Sequence, residues 1–292
     1  AATYLSAGTI DGSGLITTPS ITMVALSGIG STTALSLASQ VIAADSSNGK
    51  IIINNTSASA VTVSSLTTKE TTNEYDPSNP PSFPQVTLIK FNQTGGGDVT
   101  LTKVSTVGTT YSQAGEIELS NDGNLIVGAG DVVSDGVSNI YIQTTTLGNI
   151  VLNGNVDASR GDGAISVKSA GSISGTGALI SGLNNGRLDD LTAGTGIDVK
   201  TQGLDFSNAN ISTTTGDIII ENTTSINLPT IAAPANLSIK AGGTITQRPD
   251  DPQNNLFFAI TVAGTSSFNA VNGAIALINA GNNFSGAVSL TN

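Results

Sequence analysis

Any chemistry in this chain has to come from carboxylates. Its 292 residues include no histidine and no cysteine, which removes His-based triads, imidazole and thiolate metal sites, thiol catalysis and disulfides together. The acidic neighbours are Asp189-Asp190, Asp250-Asp251, and Asp131 with Asp135. Two carboxylates about 5 to 9 Å apart are what glycoside hydrolysis requires. All three pairs stand in turn-like contexts, where Asp is favoured because it hydrogen-bonds the local backbone. Trp is absent and aromatics are only 4% of the chain, so little is available to stack a sugar. The balance of these residues reads as non-enzymatic.

The binding candidates are few. Arg160-Gly161-Asp162 is a tripeptide that integrins bind, set here between two strand-like phrases in a Gly-rich turn. Tyr75 and Asp76 fall in a proline-rich stretch, Lys69 to Pro84, that offers contacts to a partner. Calcium takes oxygen ligands, but the Gly- and Asp-spaced nonapeptide repeat is absent, so the acidic surface reads as solvated and no metal or other cofactor is expected. Thr144-Thr145-Thr146 and Thr213-Thr214-Thr215 are too scattered for a flat threonine array and follow from β propensity. Asn55-Thr56-Ser57, Asn222-Thr223-Thr224 and Asn283-Phe284-Ser285 are sequons by composition.

Charge narrows the partners. Ten Lys and Arg against 21 Asp and Glu give a net charge of −11. A nucleic-acid binder needs a basic footprint, and anionic lipid is equally unsuited. No apolar run approaches the roughly 20 residues of a membrane span. The first residues carry no basic region followed by an apolar core, and the chain reads as a mature piece or an excised segment of something longer.

The elements that must hold these residues follow from one repeated phrase: a glycine, one variable residue, then aliphatic and polar residues in alternation. It reads Gly97-Asp98-Val99-Thr100-Leu101, Gly115-Glu116-Ile117-Glu118-Leu119, Gly148-Asn149-Ile150-Val151-Leu152 and Gly216-Asp217-Ile218-Ile219-Ile220, among others. Period-two alternation bounded by turn formers marks a short half-buried strand, and many at quasi-regular spacing mark a solenoid. The expected fold is all-β, a parallel β-helix (β-solenoid) with a few protruding loops. Ile51, Ile53, Val99, Leu101, Ile218 and Ile220 should stack inside it. At about 20 residues per coil and about 4.8 Å between coils it makes roughly 14 coils and a rod of about 65 Å.

The whole chain, 1–292, reads as one continuous segment. The phrase around Gly8 resembles that around Gly171, and Asn48 to Thr56 resembles Thr215 to Thr223, which predicts two related blocks, approximately 7–112 and 170–292. Proline cannot sit in an interior ladder, so 69–84 and 248–255 are predicted to protrude. Leu183 to Leu191 is read as a further excursion.

Gly171-Ser172-Ile173-Ser174-Gly175, Leu191 to Ile197, Gly216 to Ile220, Asn269 to Leu277 and Asn282 to Asn292 resemble filamentous-haemagglutinin-type bacterial exoproteins. The resemblance covers most of the chain, and it implies a right-handed β-helix in a secreted or surface-tethered adhesin at the bacterial outer surface. The implied partner is a receptor or glycan on a host or neighbouring cell, with homotypic end-to-end or lateral assembly as a further expectation. The secretion module expected near the start of such proteins is not visible. Two alternatives stand beside the adhesive shaft: a polysaccharide-active, tailspike-like β-helix enzyme, and a subunit of a self-assembling filament.

Overall fold

A computed structural model describes residues 2–69, 89–107, 116–128, 132–133, 139–158, 163–181, 187–202, 204, 206 and 208–292. Every strand pairing between its sheet strands is parallel, and each strand pairs with its counterpart one coil later. This is a parallel β-helix. The coil from Val99 shows its plan. Strand Val99–Leu101 turns a corner into Val104–Val107, the chain then runs through Ile117–Asn121, and Leu125–Val127 begins the next coil on top of Val99–Leu101.

The outline therefore has three faces. The first carries the ladder Val61, Val99, Leu125, Ile150, Ile173, Ile197, Ile218, Leu237. The second holds the short strands after the corner, and in the later coils Ile226–Leu228, Ile245–Gln247 and Ile275–Ala276 occupy that place in chain order as a sheet of their own. The third is a 12-stranded sheet running from Leu15–Thr17 to Asn283–Phe284. At about 4.8 Å per step its 12 strands span about 53 Å. That is shorter than the rod expected from coils of about 20 residues, because several coils are longer than that. Leu35 meets Ile53 18 residues on, whereas Ile51 meets Ile89 38 residues on.

Alternation dictates what fills the interior. On the third face Ile53, Phe91, Leu119, Ile142, Val167, Leu191, Ile211, Ile231 and Ile260 stack in register, all essentially inaccessible to water. Ile51, Ile53, Val99, Leu101, Ile218 and Ile220 are core residues as expected. Parallel stacking repeats one inward position coil after coil, so a narrow, mainly aliphatic ladder fills the interior with few aromatics, Phe91 here and Phe206 and Phe268 elsewhere in the core. Where strands of the third face leave the core, the interior turns polar. Asn55 donates to Gln93 Oε1 at 2.6 Å, and Asn121, next in that column, donates to Asn124 O at 2.7 Å. These amides satisfy carbonyls that the corner would otherwise strand away from water.

Three sequence readings change. The glycine of the repeated phrase reads as a turn former, yet Gly97, Gly148 and Gly216 are not among the six described glycines with positive φ, which are Gly28, Gly30, Gly49, Gly95, Gly96 and Gly175. Glycine is required elsewhere because coils touch: a Cβ on Gly148 would lie 1.8 Å from Gly123 O, and one on Gly216 1.3 Å from Thr195 O. The expected excursion before Leu191 is in part a strand, Arg187–Ala193, paired to Ala164–Ser169 with a register shift that inserts Asp189 as a bulge. Finally, Ile51 and Ile53 lie on the third face while Ile218 and Ile220 lie on the first. The similar phrases are thus interchangeable strands placed at different points of a coil.

Candidate functional site

Of the residues singled out from sequence, Arg160, Gly161, Asp162, Tyr75, Asp76, Asp131 and Asp135 lie outside the described residues, as does all of the expected 69–84 loop beyond Lys69. Asp189 and Asp190 are described and each is engaged by a cation. Arg187 Nε donates to Asp189 Oδ1 at 2.7 Å, and Lys168 Nζ lies 3.0 Å from Asp190 Oδ2. This ion pair, first through its hydrogen bond and then through the aspartate charge, raises the Arg187 pKa further.

Asp250 and Asp251 serve their own loop. Asp250 Oδ1 accepts the Phe258 N–H at 2.8 Å. Asp251 caps the short 3-10 helix Pro252–Asn254, accepting Asn254 Nδ2 at 2.8 Å. Hydrogen bonds from Asn254 hold its carboxyl below the ordinary aspartate value. Both ends of this loop are gripped by buried amides. Gln247 Nε2 donates to Phe258 O at 2.6 Å and to Asn282 Oδ1 at 2.7 Å, while Asn282 Nδ2 returns a bond to Gln247 Oε1 at 2.8 Å. Asn279 Nδ2 ties Arg248 O and Phe258 O, each at 2.7 Å, and the Arg248 guanidinium sits 4.0 Å from the Phe258 ring centre. Leu256 and Phe257 are left outside, 42% and 60% exposed.

The site that sequence reading did not single out is a groove of about 370 Å³ on the outer surface of the third face. Four successive strands build it. Lys90, Glu118 and Tyr141 are neighbours in one outward column, and Asn54, Asn92, Ser120 and Gln143 form the column beside it. Glu116, just before its strand, completes the lining. Lys90 Nζ is bonded to Glu118. Burial pushes the Glu116 carboxyl above its ordinary value, the Glu118 charge adds to this, and Lys90 opposes it. Tyr141 is raised by burial and then by Glu116, although Asn139 Nδ2 donates to its hydroxyl at 3.1 Å. The signal was in the phrase itself: alternation in Gly115-Glu116-Ile117-Glu118-Leu119 and in Ile140-Tyr141-Ile142 sends both glutamates and the tyrosine outward. What alternation omits is which coil lies beside which.

Two sequons are closed. Asn55 and Asn222 are 1% and 4% exposed with their amides hydrogen-bonded, whereas Asn283 is exposed. Among the described residues no group of three or more acidic side chains could hold a metal ion, and no helix is long and apolar enough to cross a membrane.

Stacked parallel coils, a continuous aliphatic interior and repeated strand phrases define a β-helix repeat protein. In keeping with this, residues 215–291 match the family model described as repeats of unknown function (DUF5649). No curated protein and no solved structure matches the chain.

Proposed function

We propose that this chain is a non-enzymatic, extracellular rod: the shaft of a bacterial surface or secreted adhesin of the filamentous haemagglutinin type. The observation that carries the reading is a braced loop on an extended stack. Residues 248–258 are fixed at both ends by Gln247, Asn279 and Asn282, and they hold Leu256 and Phe257 in solvent. Ordering a contact segment before it meets a partner lowers the entropy lost on binding. An aromatic at the tip is the residue type that anchors interfaces. Low charge, no cysteine and a Ser-, Thr- and Asn-rich surface suit an exported β protein.

Antibody against the chain should label intact cells of its source, and protease added outside them should remove the signal. Protection from that protease would overturn the extracellular reading. Phe257→Ser, which leaves the core untouched, should reduce adhesion of protein-coated beads to target cells.

One observation favours a second reading, that of a polysaccharide-active enzyme. Glu116 and Glu118 share a groove with Tyr141, and their surroundings differ, one raised by burial and the other paired with Lys90. Release of reducing ends from a polysaccharide, abolished in Glu116→Gln and Glu118→Gln, would establish it.

A further inference from the structure

We infer that the groove on the third face binds a segment of an uncharged oligosaccharide, lying along the helix axis and held without being cleaved. The inference is independent of the adhesive-rod reading, which rests on the 248–258 loop.

The lining is made of groups that recognise hydroxyls. Asn54, Asn92 and Gln143 offer amide donors and acceptors, Glu116 and Glu118 offer acceptors, and Lys90 offers a donor. Tyr141 is the single aromatic in the outward columns of this sheet among the described residues, and it stands in the groove. A pyranose ring presents an apolar face and a polar rim, so one aromatic face among amides and carboxylates complements it.

Spacing supports the direction. The column of Asn54, Asn92, Ser120 and Gln143 continues to Lys168, Thr192 and Ser212, all at least partly exposed, whereas in the column of Lys90, Glu118 and Tyr141 the next residue, Ser166, is buried. A hydrogen-bonding side chain therefore recurs at each step of about 4.8 Å. A linear polymer with hydroxyls along its length can use every step.

The other occupants fit less well. A peptide added as a strand needs an unpaired sheet edge, and these strands are mid-sheet, paired on both sides. Polyanions meet two glutamates against one lysine, on a chain of net charge −11. The Glu118 carboxylate is bonded to Lys90 through one oxygen, and its remaining lone pairs can accept from a sugar hydroxyl.

The test titrates the whole chain by calorimetry with cellohexaose, maltohexaose and chitohexaose, and with a hyaluronan hexasaccharide as the anionic comparison. The expected result is saturable binding of at least one neutral hexaose with a Kd at or below about 1 mM. That affinity should fall about tenfold or more in Tyr141→Ala and in Gln143→Ala, while Leu147→Ala, outside the groove, leaves it unchanged. Chromatography of the bound sugar should recover it uncut. Asn92→Ala serves as a further variant should Tyr141→Ala fold poorly. No binding of any neutral hexaose in that range, equal binding of hyaluronan, cleavage of the sugar, or affinity indifferent to all three groove variants would each overturn the inference.

Discussion

Asn149 Oδ1 accepts both the backbone N–H and the hydroxyl of Ser172, at 2.8 and 3.0 Å, across 23 residues of chain. The two residues hold the same place in consecutive phrases, Gly148-Asn149-Ile150 and Gly171-Ser172-Ile173. The relation recurs in other coils. Asp98 Oδ1 accepts the Asn124 N–H at 3.1 Å, Asn124 Oδ1 that of Asn149 at 2.8 Å, Asp217 Oδ1 that of Asn236 at 2.9 Å, and Asn236 Oδ1 that of Thr265 at 2.9 Å. The residue ahead of the first inward aliphatic is thus a corner clamp in two runs of coils, Asp98 to Ser172 and Asp217 to Thr265, and Gly196, paired with Ser172 between them, has no side chain to continue it.

Asn149→Ala should therefore destabilise the protein by about 1–2 kcal/mol, the usual cost of losing a bond while leaving a half-buried donor unpaired. Thermal melting followed at a β-sheet circular dichroism band measures it. An unchanged midpoint would mean that water replaces the clamp freely.

Gly216→Ala should cost more than about 2 kcal/mol, as overpacking against an immobile partner does. The new methyl would meet Thr195 O, a backbone carbonyl of the neighbouring coil. Gly12→Ala is the comparison, since nothing lies within 4 Å of a Cβ there, and it should be neutral in the same denaturation experiment.

Gln247→Ala removes one half of the reciprocal amide pair with Asn282 and strips Phe258 O of a donor. With buried polar groups left unpaired, a loss of about 2–3 kcal/mol is expected. Amide hydrogen exchange should accelerate first in residues 251–258, where the loop loses its anchor. Exchange unchanged in that loop would show that Asn279 alone fixes it.

Glu116→Gln should alter the pH dependence of stability. The folded carboxyl is raised by burial and by Glu118. Its stabilising contribution is therefore present below the unfolded pKa, where both states carry the proton, and is lost as pH rises through the raised folded value. The glutamine variant, unable to ionise, escapes that loss. Its melting temperature should match the parent in acid and exceed it modestly near neutrality, and a variant less stable at neutral pH would contradict the assignment.

The aliphatic ladders were legible from sequence because strand alternation is local. Each Cβ points opposite to the one before it, so Ile51, Val99 and Ile218 are inward whatever their neighbours. Asp189 misled for the same reason. Two adjacent aspartates break alternation and read as a turn, whereas the chain absorbs the extra residue as a bulge inside Arg187–Ala193. The groove needed more. Lys90, Glu118 and Tyr141 are separated by 28 and 23 residues, and their meeting depends on coil length, which loops vary without changing the strand phrase.

The sequence by itself determined that this chain is a stack of short parallel strands with an aliphatic interior, since period-two patterning and glycine spacing are encoded residue by residue. Only the tertiary structure decided why those glycines are needed, how Asn149 reaches Ser172, and which outward side chains share a groove. Those are relations between coils, set by which strand hydrogen-bonds to which, and no local pattern contains that pairing.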